Sequence, residues 1–423
     1  MRLWRKAPTR AKTIYHEPDW WLLATLTTLV MFGLVMVYSS SFGLAISEGG
    51  SRYEYLIRQA IYTAIGTVGL LVAMRIDYHR MRDLAFPAMI ATLGVLAALV
   101  FVPGVGTEIY GAKSWIFVGP VSIQPSEAAK LALVLYLASW LCGKGTRVRS
   151  FSYGMVQFAI VMGLLIGLVM LQPDLGTSIL LATVGMAMFF VAGANLVQFV
   201  SSVLAGGSIF LALALSASYR RDRLLLFLDP ESDLRNLGWQ LFQARLALGS
   251  GGLFGLGLGA SRQKFSWLPA PHNDAIFAVI GEELGLVGCF FLLMLFGALG
   301  IRGYRIAKRA PDAFGALIAV GITTWLIFQA MFNIGGVVTA IPFTGIPMPF
   351  VSYGGSSLIV AMTAMGVLLN VSRQTVEVSR PRVRQSSNDE ERPERVPLPD
   401  RRPVPEGVKT FGRASHSEGG GQW

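Results

Sequence analysis

Charge is what this 423-residue chain has least of: 14% of its residues are Asp, Glu, Lys or Arg, against 53% hydrophobic. Soluble domains carry about a quarter charged residues, so one large water-exposed globule is excluded. Cysteine is nearly absent, and the two isolated thiols, Cys142 and Cys289, suggest neither a disulfide framework nor a metal cluster. The four histidines, His16, His79, His272 and His416, are scattered, which argues against an imidazole-built metal centre. A secreted protein is not expected either, because the first apolar run is too long for a signal peptide and shows no clear cleavage site. What is present are uncharged apolar runs that approach or exceed about 18 residues, the length signal for membrane-spanning helices. The chain reads as an all-α polytopic membrane protein.

Ten spans are expected, at about 20–42, 57–75, 84–102, 126–142, 153–171, 175–193, 197–217, 274–301, 313–333 and 350–371. The opening MRLWRKAPTRAK carries five Lys or Arg and no acid. With that end cytoplasmic, three of the four even-numbered connections are basic, as the positive-inside rule requires, and both termini lie inside. The formal net charge of +11 then needs no nucleic-acid partner. The expected division is a basic N-terminal segment, 1–14; a membrane domain, 15–372, with a long extracytoplasmic loop at about 218–273 between the seventh and eighth spans; and a tail, 373–423. The tail is rich in Arg, Glu, Pro and Ser, the composition of a disordered segment.

The unusual sequence lies in the outer connections. The long loop gathers Arg220, Arg221, Arg223, Arg235, Arg245, Arg262 and Lys264, against the topological bias. An anionic ligand or lipid headgroup would explain them, and so would the indifference of long translocated loops to charge. Leu234 to Leu248 has helical apolar spacing and suits a surface-lying amphipathic helix. Gly249 to Gly259, GSGGLFGLGLG, lacks the strand before it and the GK[ST] after it that a nucleotide loop needs. A flexible hairpin or a close backbone approach between helices is expected there.

Acidic residues inside apolar helices mark candidate chemistry, because carboxylates at that depth need a partner or a wet cavity. In SWLPAPHNDAIFAVIGEELG a polar loop turns abruptly into an apolar run with Asp274 at the seam. A helix starting there would place Glu282 and Glu283 roughly 12 Å deeper. Asp274 suits a helix N-cap, or a general base at the mouth of a cavity. Adjacent glutamates point about 100° apart, so one is expected to face the bundle, as a proton relay, a cation site or a structural pair. In QPSEAAK, Glu127 and Lys130 lie on one helix face as an ion pair, either positioning the helix or offering charge to a phosphate. Asp174 in QPDLGT suits a helix cap. Pro347 to Ser357, PMPFVSYGGSS, is broken backbone that lines a cavity or packs helices closely, with Ser352 and Tyr353 able to contact substrate.

QPSEAAK, QPDLGT, LPxxHxDxIFAVIGEELG and PFVSYGGSS, in this order on ten spans, resemble the SEDS proteins of shape, elongation, division and sporulation. The likeness covers nearly all of residues 15–372, and the connection VPGVGTEIYGAKSWIFVGPVSIQPSE looks closer to the FtsW branch than to RodA. The resemblance implies a peptidoglycan glycosyltransferase of the bacterial plasma membrane, at the division septum, polymerising lipid II. Asp274 matches the family's catalytic aspartate. Glu127, Lys130, Arg220, Arg223, Lys264 and His272 match positions expected to meet substrate. Asn273 and Ala275 depart from the usual Thr and Phe, and Ser114 stands where the family carries Arg, with Lys113 one residue earlier to cover that role. The family's chemistry would have Asp274 deprotonate the acceptor GlcNAc 4-hydroxyl while undecaprenyl pyrophosphate leaves. A divalent ion, Mg or Mn, would accompany the pyrophosphate, and no organic cofactor is expected. Expected partners are lipid II, the growing glycan strand, a class B penicillin-binding protein transpeptidase, other division proteins and membrane lipids. A lipid II flippase and a non-catalytic division scaffold are the alternatives.

Overall fold

Long apolar stretches without interior breakers fold as helices, and their boundaries fall where capping residues or prolines stand. The computed structural model describes residues 13–47, 49–109, 112–118, 121–216, 221, 227, 237–265 and 267–376. The helices are α1 (Trp20–Ser47), α2 (Glu54–Arg75), α3 (Tyr78–Phe101), α4 (Pro125–Lys144), α5 (Gln157–Leu171), α6 (Leu175–Val191), α7 (Leu196–Ser216), α8 (Leu237–Ser250), α9 (Ile276–Arg309), α10 (Ala313–Val337) and α11 (Gly355–Ser372). A π-helical turn, Phe151–Val156, leads into α5. Among the described residues eight helices are long and apolar enough to cross a membrane: α1, α2, α3, α5 with its leading turn, α7, α9, α10 and α11. Of the other expected spans, α6 is apolar but only 17 residues long, and α4 carries the charged Glu127 and Lys130.

Burial grades these helices. α10 is enclosed along most of its length and packs against α9, α6 and α4, while α7 is almost wholly exposed. Side chains such as Ile61, Val68, Phe86 and Phe290 face outward, as the lipid-facing side of a membrane bundle requires. Asp312 caps α10 by accepting the Gly315 N–H at 3.1 Å, and the Tyr78 hydroxyl donates to the same carboxylate at 2.7 Å, tying the start of α3 to that end.

Two small sheets amend the all-helical expectation. The outer connection after α3 folds as β2 (Thr107–Ile109), β3 (Ala112–Val118) and β4 (Val121–Ile123), antiparallel in that order, with Ile116 opposite Ile123 and Val118 opposite Val121. Alternating aromatic and β-branched residues favour strands here. β1 (Thr13–Tyr15) pairs antiparallel with β5 (Gln374–Val376), so the first residues of the expected tail belong to the bundle. Residues 1–12 and 377–423, which hold most of both expected terminal segments, lie outside the described residues.

The Gly-rich segment after α8 makes the close backbone approach. α9 breaks at Gly285, whose φ of 65° and ψ of −164° are open almost only to glycine. The break frees backbone groups on both sides, and the Gly-rich loop takes them up. Leu256 and Gly257 donate to the carbonyls of Glu282 and Glu283 at 2.9 and 3.0 Å; Leu286 and Val287 donate to Gly252 and Leu253 at 3.0 and 3.1 Å. Any Cβ at Gly251 or Gly255 would strike the carbonyls of Gly281 or Glu283, which is why glycine stands at those two positions. A Gly285→Ala chain should lose about 3 kcal/mol of stability from the forced backbone, before counting the clash with Leu253 and Gly255. Thermal unfolding in detergent checks this, and an unchanged midpoint would contradict it.

Candidate functional site

The segment Ser261–Lys264, buried at its two ends, clamps the first turns of α9. The Ser261 hydroxyl donates to Glu282, the Arg262 N–H donates to Glu282 at 2.8 Å, and the Lys264 ammonium pairs with Glu283 at 2.7 Å with both side chains fully enclosed. The Ser39 hydroxyl of α1 also donates to Glu283. Both glutamates are thus buried, each with its own partner, and structural pairing accounts for them. Lys264 takes a different post from the substrate-facing one expected of it: it sits beneath the loop with its ammonium 4.4 Å from the centre of the Phe42 ring. A buried pair of this kind is costly to break, because either lone charge would be stranded.

Above this clamp the chain turns through residues 271–275 before α9 begins at Ile276. Asp274 therefore lies outside the helix, and Ala275 occupies the capping position without a side-chain hydrogen bond. The N-cap reading of Asp274 does not hold. Its half-buried carboxylate instead accepts from the Gln240 amide of α8 at 3.3 Å, and its backbone carbonyl accepts from the Asn333 amide of α10 at 2.8 Å. Asn333 also donates to the Ile346 carbonyl at 2.8 Å, so one side chain joins the Asp274 turn to the segment before α11.

That segment supplies the neighbouring wall. The Tyr353 N–H donates to the His272 carbonyl at 2.9 Å, and the His272 ring lies 4.6 Å from Tyr55 and 5.4 Å from Tyr353, centre to centre. Burial pushes the His272 imidazole down to about 4, which keeps it neutral near pH 7. Ser352 is turned inward: its hydroxyl accepts the Met348 N–H at 2.8 Å and its carbonyl accepts the Gln59 amide at 3.2 Å. Ala270 and Phe350 hold positive φ angles of 44° and 65°, backbone strain of the kind that clusters at functional sites.

Glu127 and Lys130 form the expected pair, 2.6 Å apart and buried. Lys130 donates further to the Gln329 carbonyl oxygen at 3.0 Å and lies 5.2 Å from the Trp325 ring centre. The Gln329 amide donates to the Pro347 carbonyl at 2.8 Å. Asp174 caps α6 by accepting the Thr177 N–H at 2.9 Å; burial raises its carboxyl above the usual range against that hydrogen bond. One polar face of α10, Gln329 and Asn333, thus joins the Glu127–Lys130 pair to the Asp274 turn. Sequence reasoning missed both, although an amide pair at i,i+4 inside an apolar helix is itself a signal.

Of the remaining candidates, Arg220 and Arg223 lie outside the described residues, and Lys113 stands in β3 with its side chain outside them too. Ser114, in place of the family's Arg, is buried and donates to the Gln172 carbonyl at 3.2 Å. Among the described residues no three His, Cys, Asp or Glu gather where they could hold a metal ion.

Comparison with known proteins bears on this geometry. Residues 19–377 match the FtsW, RodA and SpoVE family, described as cell cycle protein. The chain is 44% identical to stage V sporulation protein E of Bacillus subtilis over 357 residues, 84% of this chain and 97% of that protein. It is 40% identical to a probable peptidoglycan glycosyltransferase FtsW of Trichlorobacter lovleyi, covering 84% and 93% of the two chains. Among solved structures it resembles a chain of a peptidoglycan synthase complex, described for its structural coordination of polymerization and crosslinking. The TM-score is 0.68 at 30% identity, over 84% of this chain and 98% of that one. The rod shape determining protein RodA of Thermus thermophilus gives 0.63 at 31% identity, over 84% and 97%.

Replacing Lys130 by Met should cost about 3–5 kcal/mol, since it strands the Glu127 carboxylate. Adding Glu127→Gln should recover most of that loss. Thermal unfolding of the single and double variants in detergent decides it; equal stability of Lys130→Met and wild type would contradict the pairing.

Proposed function

The chain belongs to the FtsW, RodA and SpoVE family and is a multi-pass membrane peptidoglycan glycosyltransferase, and from that premise we propose that it polymerises lipid II with Asp274 as general base. Asp274 takes the proton of the acceptor GlcNAc 4-hydroxyl as that oxygen attacks C1 of the donor MurNAc. The bond from C1 to the lipid pyrophosphate breaks, and undecaprenyl pyrophosphate leaves without needing a proton.

The observation that carries this reading is the set of buried polar atoms around the Asp274 turn. The Nδ1 of His272 and the Oδ1 of Asn333 have no hydrogen-bond partner among the described residues. Buried polar atoms are nearly always satisfied, so orphans on the Asp274 turn and on the amide that holds its backbone suit a site that a substrate completes. Gln240 and Asn333 hold the Asp274 turn from two helices, which favours a fixed base over a mobile one. His272, neutral, can donate or accept at a sugar hydroxyl, with Ser352 and Tyr353 forming the wall behind it. Asp174, Glu282 and Glu283 keep structural posts in this scheme.

Preorganised positive charge on the departing pyrophosphate is often the largest catalytic term. Lys130 is an enclosed cation joined to this framework through Gln329, and Arg220, Arg223 and Lys113 are assigned the same task by their family positions. A divalent ion, Mg or Mn, would enter with the substrate pyrophosphate, since the described residues form no cage for one. The same reading, resting on the positive-inside bias and the family likeness, puts both termini in the cytoplasm and the enzyme at the septum, with a class B penicillin-binding protein transpeptidase and other division proteins as partners.

Purified full-length protein supplied with lipid II should make glycan strands, and Asp274→Asn should slow this by about 10²–10⁴-fold. Undiminished polymerisation by that variant would remove the base. Precursor transport without polymerisation, unaffected by Asp274→Asn, would identify a flippase instead.

A further inference from the structure

At the end of the bundle opposite Asp274, a cavity of about 340 Å³ opens between the last turns of α9 and the segment joining β1 to α1. Arg302, Arg305 and Arg309, spaced by three and four residues, line one wall. His16, Glu17 and Asp19 line the other, held in place by the β1–β5 pairing and by the His16 N–H donating to the Arg373 carbonyl at 2.7 Å. Basic residues at a helix C-terminus suit its dipole, and that alone would explain three arginines on a convex end. A concave, mostly cationic wall asks for more.

The acids of the cavity are already engaged. Glu17 accepts the Trp20 indole N–H at 2.8 Å. Asp19 accepts the Leu22 N–H at 3.0 Å, starting α1, and its other oxygen lies 3.5 Å from Arg302. Arg305 and Arg309 are exposed and have no carboxylate within ion-pair distance among the described residues. Glu17 meets only a neutral indole and keeps its charge, so the three guanidiniums exceed the two carboxylates by one. Arg305 and Arg309 still present planar forks that match phosphate oxygens. Beside it, Trp20 and Trp21 project outward, 59% and 71% exposed, and Arg302 lies 5.7 Å from the Trp21 ring centre. Exposed tryptophans at the start of a membrane helix sit at headgroup depth. Cationic concavity and headgroup depth coincide here.

We propose that this cavity binds the phosphate group of an anionic phospholipid, gripped by Arg305 and Arg309, with the acyl chains running along α1 past Trp20 and Trp21. Basic pockets between membrane helices bind such headgroups by charge and hydrogen bonding together. The bound lipid would tie α9 to α1 at the far end of the helix that begins at the Asp274 turn.

The test is native mass spectrometry of the delipidated full-length chain titrated with phosphatidylglycerol or phosphatidylcholine. Wild type should retain one phosphatidylglycerol in preference to phosphatidylcholine, and R305Q/R309Q should bind it about thirtyfold more weakly. An R80Q/R82Q control, basic residues at the same end but outside the cavity, should bind as wild type. Should the double variant not fold, Arg309→Gln alone is expected to weaken binding severalfold. Equal retention by the cavity variants, equal loss in the control, or no preference for phosphatidylglycerol would overturn the proposal. Displacement of the lipid by millimolar inorganic phosphate would assign the site to a soluble phosphate and overturn the lipid source.

Discussion

A backbone that breaks inside a membrane helix must have its hydrogen bonds returned by protein, because lipid offers none. α9 breaks at Gly285, and the loop 251–257 returns them, with donors and acceptors exchanged in both directions. That exchange fixes the loop against the helix. The Lys264–Glu283 pair and the bonds from Ser261 and Arg262 to Glu282 then fix the following segment. The chain emerging from this clamp has only a short path back to Ile276, and Asp274 lies on it. The position of the proposed base is thus set from below by buried charge and backbone pairing.

From the side it is set by α10, the most enclosed of the long helices. Two amides four residues apart on one face, Gln329 and Asn333, reach the Glu127–Lys130 pair, the carbonyls of Pro347 and Ile346, and the Asp274 carbonyl. In an apolar interior each such bond is costly to leave unmade, so the network specifies one arrangement. Elements from distant parts of the chain (α4, the Asp274 turn and the segment before α11) converge on one rigid helix. A carboxylate held between rigid elements suits a proton transfer that depends on fixed geometry.

Much of this was legible in the sequence where the cause is local. The apolar runs became helices, Asp174 became the cap of α6, and the i,i+3 spacing of Glu127 and Lys130 became an ion pair. The Gly-rich loop showed that a backbone would come close, but not which one. What the sequence hid depends on separation along the chain. Lys264 read as a substrate-facing cation among the basic residues of an outer loop, and its partner lies 19 residues on. Asn333 meets Asp274 across 59 residues. Asp274 read as a cap or a general base, since capping chemistry favours Asp at such a seam; the turn at 271–275 puts the helix start at Ile276 and turns the carboxylate toward Gln240. The β2–β3–β4 sheet was overlooked because its strands are three to seven residues long, within a connection read only for its loops.

The pairing of the break with the Gly-rich loop is open to hydrogen–deuterium exchange measured by mass spectrometry on the full-length chain in detergent. The amides of Leu256, Gly257, Leu286 and Val287 should exchange as slowly as the centre of α10. Exchange of the 251–257 and 285–287 peptides as fast as an exposed loop would mean that the clamp does not form, and that the Asp274 turn is held by something else.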